Sequence, residues 1–553
     1  MAVRSSGETG SRRWAVLCVL CVAVLVVNID NTILNVALPT LVRKLHATSS
    51  DLQWIVDAYA MVFAGLLLVS GSVADHLGRK RLFLSGFVVF AIASLGAAFS
   101  DSVGSLIVWR AAMGAGAALT IPAGLSILND VFRDPQERAR AIGLWGGTTG
   151  VGLAIGPLAG GLLLARFWWG SVFFVNVPVA IVGALAAWRL VPESRNPAAD
   201  SPDPGGSMLS ILGLGLLLWA IIEAPIRGWT SPRVVAVGSA GIAALVLLVG
   251  WEARSDHPML KLAFFRSKRF SAAIVAVALG LFAVFGAVFV LTQFLQTDLG
   301  FSPLQAGVRI LPTAGVLAAT APLSTLIVRA VGSKLTATAG LSAIACGLWQ
   351  ISAASTTSAS YAAIVPGMLL LGLGAGLLMP TAADSILGSV PRAEAGVGSA
   401  TYGVAIQLGG ALGVAVIGSM LSTRYQHRLT SALASHHVPA GAFHTITGSL
   451  GGALGVASAV GGNAGSLLAH AARSAFMSGS HVSIAAGAVV AGVAALLAFA
   501  ALPSRAPPDS NPTQDRDAAA PVTSDDAFDP RTPGATTSGS GYRSRQPRTQ
   551  SER

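Results

Sequence analysis

Three ionisable residues, Asp30, Asp57 and Arg110, lie inside apolar runs long enough to cross a bilayer. A charge at mid-membrane costs about 2.5–3.5 kcal/mol on insertion scales, so a retained one implies function by default. Two carboxylates and a guanidinium permit a definite chemistry. A desolvated carboxylate holds a proton, and an approaching cation displaces it. Asp30 is placed about 15 Å inside one end of its helix, at ~1.5 Å per residue. Asp57 and Arg110 enter from that same end, and Asp57 is expected nearer water. All three could face one cavity, and a permanent ion pair that only ties helices together is the alternative. Glu223 and Asp384, the other acids within spans, fall near span ends and read as interfacial.

The elements that would position these residues are membrane helices. Of 553 residues, 53% are apolar and only 11% charged, against about a quarter charged in a soluble domain. Apolar runs near the ~20 residues of a spanning helix recur at 14–39, 53–74, 82–99, 103–128, 139–165 and 172–191. Two more follow at 207–224 and 234–251, and a second set at 270–296, 304–328, 335–352, 361–383, 396–421 and 482–502. The expected fold is an all-α polytopic membrane protein of fourteen transmembrane helices, ordered six, two and six. Its domains are an N-terminal tail (1–13), a six-helix bundle (14–191), a linker (192–206), two extra spans (207–252), a basic loop (253–269), a second six-helix bundle (270–502) and a tail (503–553). The segment 423–481, rich in Ala, Gly, Ser and His, reads as a long external loop with weak helical signal. The tail lacks the apolar content to fold alone and reads as disordered.

Orientation comes from charge. Gly71 to Arg81 closes one apolar run and opens the next, ending in three adjacent cations, Arg79, Lys80 and Arg81. Basic loops favour the cytoplasm. With that turn inside, the internal loops carry twice the cations of the external ones, and both termini are cytoplasmic. The net charge of +11 is therefore read as topology, not nucleic-acid binding. The first span holds Asn28, Asp30 and Asn35 and shows no cleavage site, so it reads as retained. Cys18, Cys21 and Cys346 fall in apolar runs and read as packing residues.

Several patterns carry a resemblance. Gly71-x-x-x-Asp75-x-x-Gly78-Arg79-Lys80 resembles the signature loop of the major facilitator superfamily. Asp30-x-Thr32-x-x-Asn35-Val36-Ala37-Leu38-Pro39 and Trp54-x-x-x-Ala58-Tyr59 are similar to the first two spans of its fourteen-span drug:proton antiporters, the EmrB/QacA type. Arg110-x-x-x-Gly114-x-Gly116-x-Ala118-x-x-x-Pro122 resembles the fourth-span motif. Gly152-x-x-x-Gly156-Pro157-x-x-Gly160-Gly161 resembles the antiporter motif, and Phe173-Phe174-Val175-Asn176-Val177-Pro178 the start of the sixth span. There are two departures. Trp169-Gly170-Ser171 stands where the family has Trp-Arg-Trp, and the second-half counterpart of the signature loop, Ser324 to Lys334, has no acid.

The resemblance implies a major facilitator fold and proton-coupled export of lipophilic or amphipathic compounds across the plasma membrane. It implies proton coupling through Asp30 and Arg110, with Asp57 as a third member. Gly71, Asp75, Gly78, Arg79 and Lys80 would form a gate. Small residues four apart in Gly152, Gly156, Pro157, Gly160 and Gly161 let helices approach closely and would form a contact between the two bundles. A nutrient symporter would share the fold, but the fifth-span motif and the two extra central spans weigh against it, and a non-transporting sensor would have little use for paired six-helix bundles. No phosphate-binding loop, zinc motif or nucleophile elbow is present, so no enzyme, cofactor or metal is expected. The histidines of 423–481 lack ligand spacing. The expected partners are a small lipophilic substrate, protons and lipid, on a monomer that binds no nucleic acid.

Overall fold

The computed structural model describes residues 3–195, 203–255, 258, 261–355, 360–391, 395–434 and 440–503. These residues are helical nearly throughout, as they must be in lipid, where every backbone polar group needs an internal partner. The helices are α1 (Val3–Leu45), α2 (Ser49–Leu77), α3 (Arg79–Ala98), α4 (Val103–Val131), α5 (Pro135–Arg166), α6 (Ser171–Phe174) and α7 (Asn176–Leu190). They continue with α8 (Pro204–Arg227), α9 (Pro232–Glu252), α10 (Lys268–Gln293), α11 (Pro303–Ala354), α12 (Tyr361–Leu387) and α13 (Ala395–Leu433). The last are α14 (Ala440–Gly448), α15 (Leu450–Val460) and α16 (Gly462–Ala501). Eleven segments among the described residues are long and apolar enough to span a membrane.

Local sequence sets the helix ends. Thr48 and Asp51 form a reciprocal capping box on α2, and Ser302 with Gln305 does the same on α11. Asp134 and Asp203 accept backbone N–H bonds at the starts of α5 and α8, each followed by Pro at the first turn. Such caps satisfy donors that the helix itself leaves open. α11 is broken at Gly332 (φ 87°, ψ 163°), which divides it into two legs.

Two bundles result. α1 packs on α5 and α7, and α4 holds α2 and α3. In the second bundle α11 packs on α12 and α16, and α10 on α13 and α16. α5 meets α11 and α2 meets α13, so these pairs join the bundles. α8 and α9 pair as a hairpin, with α8 also packed on α2 and α13.

Three sequence expectations change. The tail 1–13 is not a separate element, because α1 is helical from Val3. The segment 423–481 is largely helical: α13 extends to Leu433, α14 and α15 fold within it, and α16 begins at Gly462. Its Ala-rich stretches are good helix formers once packed. Gly451 lies against Val42, and Ser49 Oγ donates to the Gly448 carbonyl (3.0 Å), so α14 and α15 rest on α1 and α2. Cys18 and Cys346 lie on exposed helix faces, not in the packed core. The expectation of disorder falls on residues 504–553, outside the described residues, as do 196–202 of the linker.

Candidate functional site

The first site is built by α1, α4 and α7. Asp30 on α1 and Arg110 on α4 are buried, and Arg110 Nη1 donates to Asp30 Oδ2 at 2.6 Å. Asn176, the first residue of α7, donates through Nδ2 to the other oxygen, Oδ1, at 2.9 Å. Arg110 Nε donates to the Ile55 carbonyl at 3.0 Å, and its guanidinium carbon lies 4.5 Å from the Tyr59 ring centre. The carboxylate is thus matched on both oxygens, and the cation by a carboxylate, a carbonyl and an aromatic face. The sequence reading allowed Asp30, Asp57 and Arg110 to face one cavity; Asp30 and Arg110 pair, and Asp57 stands apart from them. That reading missed Asn176, although an amide just ahead of Pro178 in an apolar helix was a legible signal.

Asp57 is not a member of that cluster. It was expected nearer water, yet its exposure is 0%, the same as Asp30. Neither of its carboxylate oxygens has a hydrogen-bond partner. Gln53, one turn earlier on the same face of α2, is 1% exposed, and both atoms of its amide are also unpartnered. Its Nε2 faces Gly418 of α13, where an added Cβ would come within 2.1 Å.

Between the bundles lies a cavity of about 20 Å³, room for roughly one water. Asn31, Val56 and Arg110 line it from the first bundle, and Phe285, Gln407 and Ala411 from the second. Arg110, the cation of the ion pair, therefore lines the space where the two halves meet.

The antiporter glycines divide between two jobs. Gly152, Gly156 and Gly160 form one stripe against α1. An added Cβ would come within 2.7 Å of Asn28 Cβ, 1.8 Å of Thr32 Oγ1 and 2.7 Å of Ile33 Cγ1 respectively. That contact is inside the first bundle, which corrects the expectation for these three. Pro157 and Gly161 do reach the other bundle. A Cβ on Gly161 would lie 2.5 Å from Leu304 Cα, and one on Gly307 2.3 Å from the Pro157 carbonyl. Near them Gln296 Nε2 donates to the Val36 carbonyl at 2.8 Å. The bundles are in close contact at this end.

The basic turn lies at the other end. Gly78, at φ 108°, ends α2 and opens α3. Arg79 pairs with Asp130 at the end of α4, and its N–H donates to the Ser194 carbonyl at 3.0 Å. Lys80 Nζ donates to the Trp188 carbonyl (2.6 Å), while Glu193 accepts from the Lys80 N–H (3.2 Å) and lies 3.6 Å from Arg81. The turn is thus bound to its own bundle through Asp130 and Glu193, which the sequence reading did not single out. Gly71 and Asp75 fall on the last turns of α2, but their side chains are outside the described set.

The two departures from the family pattern have visible consequences. A Cβ on Gly170 would stand 2.0 Å from the Ala98 carbonyl, so that position has no room for the usual cation. At the second-half corner Lys334 Nζ lies over the Phe499 ring, 4.4 Å from its centre.

Residues 20–414 match the family described as Major Facilitator Superfamily. The chain belongs to the major facilitator superfamily. Within it, this chain is 35% identical over 500 residues to the multidrug efflux pump LfrA of Mycolicibacterium smegmatis, covering 90% of this chain and 97% of that protein. It is 34% identical to the tetracenomycin C resistance and export protein of Streptomyces glaucescens, covering 76% and 78%. Among solved structures, a bacterial homolog to the human lysosomal transporter Spinster, inward-facing and unoccupied, aligns with TM-score 0.60 at 18% identity. The alignment covers 89% of this chain and 99% of that one. The major facilitator fold accounts for the two bundles and the cavity between them.

Proposed function

We propose that this transporter is a proton-coupled antiporter that exports lipophilic or amphipathic compounds across the plasma membrane. The observation that carries the reading is the buried Asp30–Arg110–Asn176 cluster, whose Arg110 lines the inter-bundle cavity. A buried ion pair beside the moving interface can exchange a proton whenever the bundles shift. The names of the relatives, a multidrug efflux pump and an antibiotic resistance and export protein, support drugs as the cargo.

The span count belongs to the same proposal. α2, α5 and the second leg of α11 raise the eleven segments to fourteen, the number in the EmrB/QacA type. An even count puts both termini on one side, and the cation bias makes that side the cytoplasm. The end closed by Gly161, Gly307 and Gln296 then faces outward. Gly71, Asp75, Gly78, Arg79 and Lys80 form the inner gate, and a single chain with its lipid suffices for the cycle.

Everted membrane vesicles test the function. Drugs from a substrate panel, added to energised vesicles, are expected to cause proton release that depends on this protein; no response to any compound rejects the reading. Topology is checked separately. Reporter fusions at Gly205 and within 503–553 should be cytoplasmic, and cysteines placed in 440–460 should react with an impermeant maleimide from outside. Opposite labelling of either end overturns the fourteen-span arrangement.

A further inference from the structure

The two spans outside the bundles, α8 and α9, have no part in the site above, yet α8 lies where the bundles meet. It packs on α2 of the first bundle and on α13 of the second. Leu218 and Ile222 of α8 share one buried apolar cluster with Ala60 of α2 and with Ala411 and Ala415 of α13. α8 therefore crosses the seam between those two helices.

Its attachments change along its length. Toward the basic turn the contact with α2 is apolar: a Cβ on Gly65 would lie 2.3 Å from Ile211 Cγ1, and one on Gly215 3.0 Å from Met61 Sδ. Toward the opposite end, hydrogen bonds take over. Ser419 Oγ of α13 donates to the Ile221 carbonyl at 2.8 Å, and Ser50 Oγ of α2 donates to the Ile222 carbonyl at 3.3 Å. Trp229 Nε1, in the turn after α8, donates to Thr423 Oγ1 of α13 at 3.4 Å.

The two carbonyls are not equivalent. Pro225 lies inside α8 and has no N–H, so the carbonyl four residues before it, that of Ile221, loses its helical donor. An unpaired carbonyl is costly where no water reaches it, and the fully buried Ser419 supplies the donor. Ile222 does not need Ser50 in this way, because Ile226, four residues on, carries an N–H. The bond to α13 thus meets a need of the backbone. The longer bond to α2 goes to a carbonyl already provided for.

We infer that α8 is a brace across the seam between α2 and α13. Its half near Pro225 travels with the second bundle, its other half stays packed on α2, and the Ser50 bond parts when the end closed by Gly161 and Gly307 opens. The two extra spans then keep that seam covered from lipid throughout the cycle. The inference rests on the alternating movement of the bundles that the antiport reading requires, and it gives the extra spans a role in it. The apolar contact at Gly65 and Ile211 can swivel because it holds no directional bond. The pairing at Ile221 cannot be given up in lipid without leaving a bare carbonyl.

The test uses full-length protein whose Cys18, Cys21 and Cys346 are Ser, in nanodiscs. Nitroxides are attached in pairs at Lys44→Cys of α1, Thr230→Cys of the α8–α9 turn and Arg428→Cys of α13, and their distances are read by double electron–electron resonance. Gly161→Leu or Gly307→Leu serves to open the closed end. The distance from position 44 to 428 should lengthen by several ångströms in either variant, and that from 44 to 230 should lengthen with it. The distance from 230 to 428 should stay fixed. Any lengthening between 230 and 428 overturns the inference, and so does a distance between 44 and 428 that never changes. Thermal unfolding tests the carbonyl argument. Ser419→Ala should lower the melting temperature more than Ser50→Ala does. That loss should nearly vanish beside Pro225→Ala, which restores the N–H that Ile221 lacks. An equal loss in both backgrounds removes the reason for α8 to follow α13 and overturns the inference. None of these readouts needs a substrate. A vesicle panel without drug response therefore rejects export and leaves the brace standing, while failed distances reject the brace alone.

Discussion

Asp30→Asn abolishes uphill export and also lowers stability, and the two losses separate in a double variant. Asn can still accept from Asn176, but it leaves the buried Arg110 guanidinium without its counter-charge. Breaking a buried pair from one side costs about 3–5 kcal/mol, a loss that thermal unfolding in detergent would register. Removing the second charge as well, in Asp30→Asn/Arg110→Gln, should recover most of that stability. Export should not return. One proton crossing ~100 mV supplies about 2.3 kcal/mol, enough for roughly a fiftyfold gradient of a neutral substrate. Without a titratable group in the cluster that driving force is disconnected, and the substrate ratio across vesicles should fall to unity while downhill exchange persists. An Asp30→Asn transporter that still concentrates substrate under an imposed pH gradient would remove the cluster from the coupling mechanism.

Gly161→Leu and Gly307→Leu each prevent closure at the end where the bundles touch. Both positions face backbone: Leu304 Cα at 2.5 Å and the Pro157 carbonyl at 2.3 Å from the added Cβ. Flexible side chains could turn aside, but two helix backbones can only move apart. Overpacking of this kind costs about 1–3 kcal/mol, enough to shift a two-state equilibrium by about fivefold to somewhat over a hundredfold at 1.4 kcal/mol per decade. Transport should fall accordingly, with insertion intact. In a background where Cys18, Cys21 and Cys346 are Ser, a Gln296→Cys reporter should react with an impermeant maleimide much faster once either glycine is replaced. Equal reactivity with and without the substitution would show that this contact does not govern the closed state.

The spans and the Asp30–Arg110 contact were legible in the sequence because both are enforced by the membrane. An apolar run must be helical there, and Asp30 and Arg110, opposite charges buried in one bundle, find each other, although Asp57 finds no partner. The partners that complete each site were not legible. Asn176, Asp130 and Glu193 lie 146, 51 and 113 residues from the groups they bind, and their own surroundings look like ordinary helix ends. The glycines of α5 showed close packing in their spacing, but spacing cannot say which neighbour comes close. Only the fold divides them between α1 and α11. The segment 423–481 misled because Ala and Gly carry little pattern. Its helices become evident only where α15 lies along α1.

Gly78 and Gly332 turn the chain at matching corners, each with a positive φ, and the corners are fastened very differently. The first is held by Asp130, Glu193 and two backbone carbonyls. At the second, Lys334 rests on the Phe499 ring and no acid lies between Ser324 and Lys334. Local opening draws on the least-bonded parts of a fold. Amide protons around the second corner should therefore exchange faster than around the first, and hydrogen–deuterium exchange of the two corners would read the difference. If the corners govern opening, the first would act as the fixed frame and the second as the part that yields, an asymmetry of mechanics beside that of charge.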